Sequence, residues 1–80
     1  MKAKQLAIDI AGWYGAAAIV GAYFLNSFGF VHANSLAYQA LNLTGAVGII
    51  IEASSKKDWP SMALNIVWIL IALVALVRII

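Results

Sequence analysis

Three long apolar stretches, separated by two short polar breaks, constrain the fold of this chain more than any other feature. They cover approximately residues 7–31, 35–54 and 59–80. A helix needs about 20 mostly apolar residues to cross a hydrocarbon core roughly 30 Å thick. A strand in lipid is stable only inside a closed barrel, which three stretches cannot form. The pattern therefore predicts an all-α membrane protein, a bundle of three transmembrane helices forming one domain over residues 1–80.

The composition favours lipid rather than water as the solvent. Hydrophobic residues make up 65% of the chain and charged residues 10%, whereas about a quarter of the residues of a typical soluble domain are charged. Because the chain has no cysteine, disulfide scaffolds and thiolate metal sites are excluded. The net charge of +2 comes from groups at the ends of the stretches, which argues against nucleic acid as a partner.

The two polar breaks predict where the second and third helices begin. Either Asn34 or Ser35 is a good N-cap for the second helix, since their side chains can accept a hydrogen bond from a free backbone N–H. Pro60 belongs in the first turn of a helix, where no N–H is required, so the third helix should begin beside it.

Small residues predict where the helices approach each other closely. The predicted packing residues are Gly15, Ala18, Ala22, Gly45 and Gly48. Small side chains let two backbones approach, which is a main source of helix association in lipid. Trp13, Val20 and Phe24 lie on another face of the first helix, and we expect them to meet lipid.

A few polar or aromatic side chains fall within the spans and need a partner. The candidates are Gln39, Asn42, Ser61, Asn65 and Trp68. An amide exposed to hydrocarbon without a partner costs several kcal/mol, so these side chains should face protein or water. Two interpretations remain open: they bond one helix to another, or they line a path for a solute.

No group of residues in the sequence predicts catalysis, a cofactor or a metal site. No nucleophile is accompanied by a base and an orienting group, and no glycine-rich loop follows a strand. His32 has no second ligand at metal-binding spacing. Glu52 and Lys56, four residues apart, are expected to form a solvated charge pair. We therefore expect a protein that is not an enzyme and binds no cofactor.

Several motifs together point to a family of known architecture. They are Gly12-Trp13 in the first helix, Ser35, Tyr38 and Gly45 in the second, and Asp58-Trp59-Pro60 followed by Asn65 in the third. With these motifs, nearly the whole chain resembles the triple-helix unit of the SemiSWEET, or PQ-loop, superfamily of small transporters. The resemblance implies two protomers paired around a central path, with Asn65 at the position of a sugar-contacting asparagine. The sugar-contacting tryptophan of their second helix has no counterpart here.

A second set of motifs is similar to small bacterial three-span membrane proteins of unassigned function. These motifs are Ser35-Leu36-Ala37-Tyr38-Gln39, Asn42, Gly45, Trp59-Pro60-Ser61 and Asn65-Ile66-Val67-Trp68. This likeness implies the inner, cytoplasmic membrane of a bacterium as the location.

The basic residues predict how the chain is oriented in that membrane. Lys2, Lys4, Lys56 and Lys57 fall on one side of a three-span chain, and Arg78 falls on the other. Cytoplasmic loops carry an excess of Lys and Arg. The N-terminus and second loop are therefore expected in the cytoplasm and the C-terminus outside.

Two functions are compatible with these features. In the first, the chain is a half-transporter that forms a homodimer and passes a small neutral polar solute, because three helices are too few to surround one. In the second, it is a non-transporting accessory or structural subunit of a larger membrane complex, and its polar side chains hold helices together.

Overall fold

The computed structural model describes residues 2–79. They form three α-helices: α1 (Lys2–Ser27), α2 (Leu36–Ser55) and α3 (Trp59–Ile79). All three are long and apolar enough to cross a membrane, and the described residues contain no strand. The prediction of an all-α fold with three helices long and apolar enough to span a membrane is confirmed.

The end of α1 shows how a backbone turn overrides apolar composition. The first apolar stretch continues to about residue 31, but α1 ends at Ser27. Gly29 follows with φ +80°, a left-handed conformation that glycine adopts at little cost and that stops a helix. The Asn26 amide donates a hydrogen bond to the Val31 carbonyl oxygen at 3.0 Å and holds this turn.

The starts of α2 and α3 follow the capping chemistry of the sequence. Ser35 is the N-cap of α2, and its hydroxyl accepts a hydrogen bond from the Tyr38 backbone N–H at 3.1 Å. Pro60 lies in the first turn of α3, as predicted. Asp58 precedes that turn and accepts hydrogen bonds from the Ser61 backbone N–H at 3.3 Å and from the Ser61 hydroxyl at 2.8 Å.

The three helices are arranged around α2. Helices α1 and α3 each pack against α2, and within the described part of the chain they do not contact each other. Short loops make consecutive helices antiparallel. The molecule measures 40 × 21 × 20 Å, so its long dimension exceeds the roughly 30 Å of a hydrocarbon core. One side of the molecule, between α1 and α3, is left uncovered by a helix.

The interior contains small residues and amides rather than large apolar side chains. The buried residues are Gly15, Ala18 and Ala22 of α1, Gln39, Asn42, Gly45, Ala46, Gly48 and Ala53 of α2, and Asn65 and Ala72 of α3. Among residues 2–79 no large side chain is fully buried. Trp13, Val20 and Phe24 are exposed, as expected of side chains that meet lipid. In lipid, helices associate through close packing rather than through the hydrophobic effect.

Candidate functional site

The contact between α1 and α2 is a contact between backbones. A Cβ atom added to Gly15 would collide with the Gly45 carbonyl oxygen and would lie 2.9 Å from the Ile49 backbone nitrogen. A Cβ on Gly48 would collide with the Ala11 carbonyl oxygen. Rotation of a side chain cannot relieve these contacts, because the obstructing atoms are backbone. Only glycine therefore permits this separation of the two helices.

The residues expected to pack closely all lie in the protein interior. Gly15 and Gly45 face each other, and a Cβ on Gly45 would lie 3.0 Å from the Gly15 carbonyl oxygen and 3.2 Å from the Ala18 Cβ. Ala22 is fully buried further along α1. At Gly15 and Gly48, the hydrogen that replaces the side chain points to a carbonyl oxygen of the facing helix. Such Cα–H···O contacts contribute about 0.5–1 kcal/mol each.

One side-chain hydrogen bond crosses this interface. The Tyr14 hydroxyl and the Thr44 hydroxyl are 2.7 Å apart, and no other pair of side chains in the described chain bonds between two helices. This pair was not predicted from the sequence. A signal was present, because each residue directly precedes a packing glycine, Gly15 or Gly45, so the glycine contact brings the two hydroxyls together.

The buried asparagines at the α2–α3 interface bond to their own helices. The Asn42 side-chain amide donates to the Tyr38 carbonyl oxygen at 3.1 Å. The Asn65 side-chain amide donates to the Ser61 carbonyl oxygen at 2.8 Å. Both side chains are buried, yet neither hydrogen bond joins one helix to another.

The side-chain oxygens of these two asparagines remain available as acceptors. Neither the Asn42 nor the Asn65 oxygen accepts a hydrogen bond from residues 2–79. Every fully shielded side-chain nitrogen or oxygen of those residues has a partner, so these two oxygens must reach the molecular surface. Each therefore offers an acceptor to a group outside the chain.

The predicted path residues do not meet at one point. In an antiparallel α2–α3 pair that turns at Lys57, Asn65 lies beside roughly residue 49, and Asn42 lies beside roughly residue 72. At about 1.5 Å per residue, the two asparagines are about 10 Å apart along the helix axis. Gln39 is further still toward the first loop, where its amide donates to the Ala33 carbonyl oxygen at 2.7 Å.

The remaining two candidates lie at different depths. Ser61 is at the start of α3 and is bonded to Asp58. Trp68 is in the middle of α3, with 39% of its surface exposed. The structure thus spreads the five candidates along α2 and α3. Neighbours occur only within one helix: Gln39 is beside Asn42 on α2, and Asn65 is beside both Ser61 and Trp68 on α3.

Charged side chains gather where α1 begins and α2 ends. Glu52 forms an ion pair with Lys56 and packs against Gly12, where an added Cβ would lie 2.6 Å from the Glu52 Cγ. The hydrogen bond from Lys56 to Glu52, and then the charge of Glu52, raises the pKa of Lys56 above its ordinary value. The more distant charge of Asp9 acts in the same direction. The spacing of Glu52 and Lys56 predicted the ion pair, but the space that Gly12 provides was not predicted.

Two open grooves lie on the surface of the described residues. The first, about 370 Å³, is lined by Asp9, Gly12, Trp13, Ala16, Glu52 and Lys56. The second, about 620 Å³, is lined by Asn34, Ile71, Val74, Ala75, Arg78 and Ile79. No cluster of three or more potential metal ligands occurs in residues 2–79. Neither groove contains any of the five predicted path residues.

A comparison with known protein families places this chain in one of them. The family's sequence model matches residues 8–80. The chain belongs to that family. The family is an uncharacterised one, so it supplies no activity to transfer, and the SemiSWEET resemblance remains a prediction. No curated protein and no solved structure matches the chain.

Proposed function

We propose that the chain is an integral membrane protein with a structural role, one that acts by packing against other membrane helices and assembles with a second copy of itself. One observation carries this proposal: the polar side chains of the spans are spread along α2 and α3, and their amides donate to nearby backbone carbonyls. They do not converge on a cavity.

The distribution of exposed side chains supports a location within a bilayer. Helix α3 buries only Asn65 and Ala72, and its other side chains are mostly exposed aliphatic residues. A water-soluble monomer rarely exposes contiguous apolar surface of this extent. Lipid accepts this surface without penalty.

The free amide oxygens support association with another chain. An acceptor in the hydrocarbon region has no water to bond to, and leaving it unpaired costs several kcal/mol. A second membrane helix can supply the missing donor. A closed two-fold dimer is the commonest way to supply it from the same chain. A foreign helix in a larger complex would satisfy the same chemistry.

A half-transporter is the second candidate, and the same oxygens favour it. In a dimer, Asn42 and Asn65 would present acceptors to an internal path, with Gln39, Ser61 and Trp68 lining the remainder. No charged residue lies at mid-span, so the solute would be small, neutral and polar. The roughly 10 Å between the two asparagines supports separate structural roles more strongly than a single site.

The proposal includes an orientation. The membrane is the bacterial inner membrane that the likeness to small bacterial three-span proteins implies. The cluster of Lys2, Lys4, Lys56 and Lys57 favours the N-terminus and the second loop in the cytoplasm. The ion pair of Lys56 with Glu52 then lies at the cytoplasmic surface.

Two measurements on the purified protein separate the candidates. Its mass in lipid nanodiscs reports the oligomeric state, and the swelling rate of vesicles in glycerol, erythritol or glucose reports solute flux. The structural proposal expects a dimer and swelling no faster than that of protein-free vesicles. Flux that is lost in Asn65→Ala, while the dimer persists, would establish the half-transporter instead. A monomer at every protein-to-lipid ratio would refute self-association.

A further inference from the structure

Asn65 and Trp68 carry an acceptor and a donor that residues 2–79 leave unused. The Asn65 side-chain oxygen has no donor, although the side chain is only 6% exposed. The Trp68 indole N–H likewise has no acceptor among these residues, and the residue is 39% exposed. Residues three apart are neighbours on a helix surface. The two unused groups therefore lie side by side on α3.

The depth of these groups in a bilayer excludes the usual partners of a tryptophan. Trp68 is nine residues beyond Trp59, where α3 begins, which places it roughly 14 Å into the span at 1.5 Å per residue. That is close to the centre of a hydrocarbon core about 30 Å thick. Lipid headgroups and bulk water do not reach this depth, so the partner of the indole must itself be a membrane-embedded group.

The side of α3 that carries Trp68 differs from the rest of its exposed surface. This side, called here the α3 outer face, consists of Leu64, Trp68, Ile71 and Ala75. Ile71 and Ala75 also line the groove of about 620 Å³. Another exposed stripe of α3 consists only of aliphatic residues: Ile66, Leu70, Leu73 and Val77. Only the outer face combines a polar group with a groove, whereas the aliphatic stripe suits lipid.

We propose that the α3 outer face pairs in parallel with the α3 outer face of a second copy, and that each Trp68 indole donates to the Asn65 oxygen of the other copy. A two-fold axis along the membrane normal places equal residues at equal depth in both copies. Residues 65 and 68 differ in depth by about 4.5 Å, a distance that an indole side chain spans. The two hydrogen bonds then form reciprocally.

Self-complementarity identifies a second copy as the occupant. The donor, Trp68, lies on the outer face, and the acceptor, Asn65, lies beside it about one turn nearer the start of α3, so the two-fold operation satisfies both groups in both copies. A solute or a foreign helix would have to bring its own matching pair. This inference rests on the proposed self-association and adds to it the surface that associates.

Disulfide cross-linking tests the proposed surface, because the chain has no cysteine of its own. Ile71→Cys places a thiol on the outer face, and Leu70→Cys places one at the same depth on the aliphatic stripe. The two positions are similarly exposed, at 62% and 57%. A disulfide requires Cα atoms about 4.4–6.8 Å apart. Oxidation in membranes should therefore give covalent dimers with Ile71→Cys and not with Leu70→Cys.

Trp68→Phe tests the hydrogen bond, since it keeps an aromatic ring and removes the N–H. The substitution removes both reciprocal hydrogen bonds of the dimer, and each is expected to contribute roughly threefold to thirtyfold. We therefore expect the Trp68→Phe dimer to be roughly tenfold to nine-hundredfold weaker than the wild type. Trp13→Phe is the matched control, because Trp13 is an exposed tryptophan on α1 and should leave the dimer unchanged.

The outcomes separate this inference from the proposed function. Equal cross-linking at residues 70 and 71, or an unchanged dimer in Trp68→Phe, would overturn the α3 interface while self-association stands. A protein that is monomeric in nanodiscs at every concentration would overturn both.

Discussion

Gly15 offers the sharpest test of the backbone contact between α1 and α2. In Gly15→Ala, the added methyl group would collide with the Gly45 carbonyl oxygen and would lie 2.8 Å from the Ile49 Cγ1 and 2.9 Å from the Ile49 nitrogen. A flexible side chain could move aside, but a carbonyl oxygen and a backbone nitrogen cannot move without separating the helices. Gly21 is the matched control on the same helix, because a Cβ there meets nothing within 4 Å.

The expected magnitude follows from comparing the two alanine variants. Replacing glycine by alanine within a helix favours folding by about 0.8–1.0 kcal/mol through helix propensity alone. That contribution is common to Gly15→Ala and Gly21→Ala, so the difference between them isolates the collision. Forcing extra volume into a packed contact costs about 1–3 kcal/mol. Gly15→Ala should therefore have a free energy of unfolding about 1–3 kcal/mol below that of Gly21→Ala.

Unfolding in mixed micelles, followed by circular dichroism as the fraction of denaturing detergent rises, measures this difference. Gly21→Ala should be at least as stable as the wild type. If Gly15→Ala and Gly21→Ala unfold at the same detergent fraction, α1 and α2 do not approach as closely as the contact between Gly15 and Gly45 requires.

Three further predictions concern packing, charge and orientation. Gly45→Leu should abolish the α1–α2 contact and shift the detergent-unfolding midpoint strongly, whereas Val20→Ala should change it little; equal shifts would refute the assignment of these faces. Glu52→Gln should lower the pKa of Lys56 toward its ordinary value, since it removes the charge and weakens the hydrogen bond that raise it; NMR titration of the lysine would show an unchanged pKa if the ion pair does not form. A reporter fused to the C-terminus and active only in the cytoplasm should be inactive, and activity there would reverse the proposed orientation.

The features that the sequence predicted well depend on local chemistry. Helix count follows from the length of the apolar stretches, and the starts of α2 and α3 follow from Ser35 and Pro60. The end of α1 was placed too late, because hydropathy alone does not register the turn at Gly29, whose φ is positive.

The features that the sequence did not predict depend on how helices and rotamers are placed. Periodicity could not show that α1 and α3 remain apart. It also could not show that Asn42 and Asn65 would bond to their own helices, since a side-chain rotation decides which carbonyl an amide reaches. Gly12 was identified in the sequence only as part of a motif that resembles the SemiSWEET superfamily. Its packing against Glu52 depends on the placement of both helices, which the sequence does not give.

The association equilibrium of Asn65→Ala, measured by energy transfer between labelled copies in lipid vesicles, tests the central claim most directly. If Asn65 holds two chains together, the variant should associate more weakly than the wild type by about 0.6–2 kcal/mol, or roughly threefold to thirtyfold, for each hydrogen bond that the dimer loses. Vesicles containing either protein should swell at the same rate in a neutral solute. An unchanged association equilibrium, accompanied by a loss of solute flux in the variant, would contradict a structural role and establish Asn65 as part of a transport path.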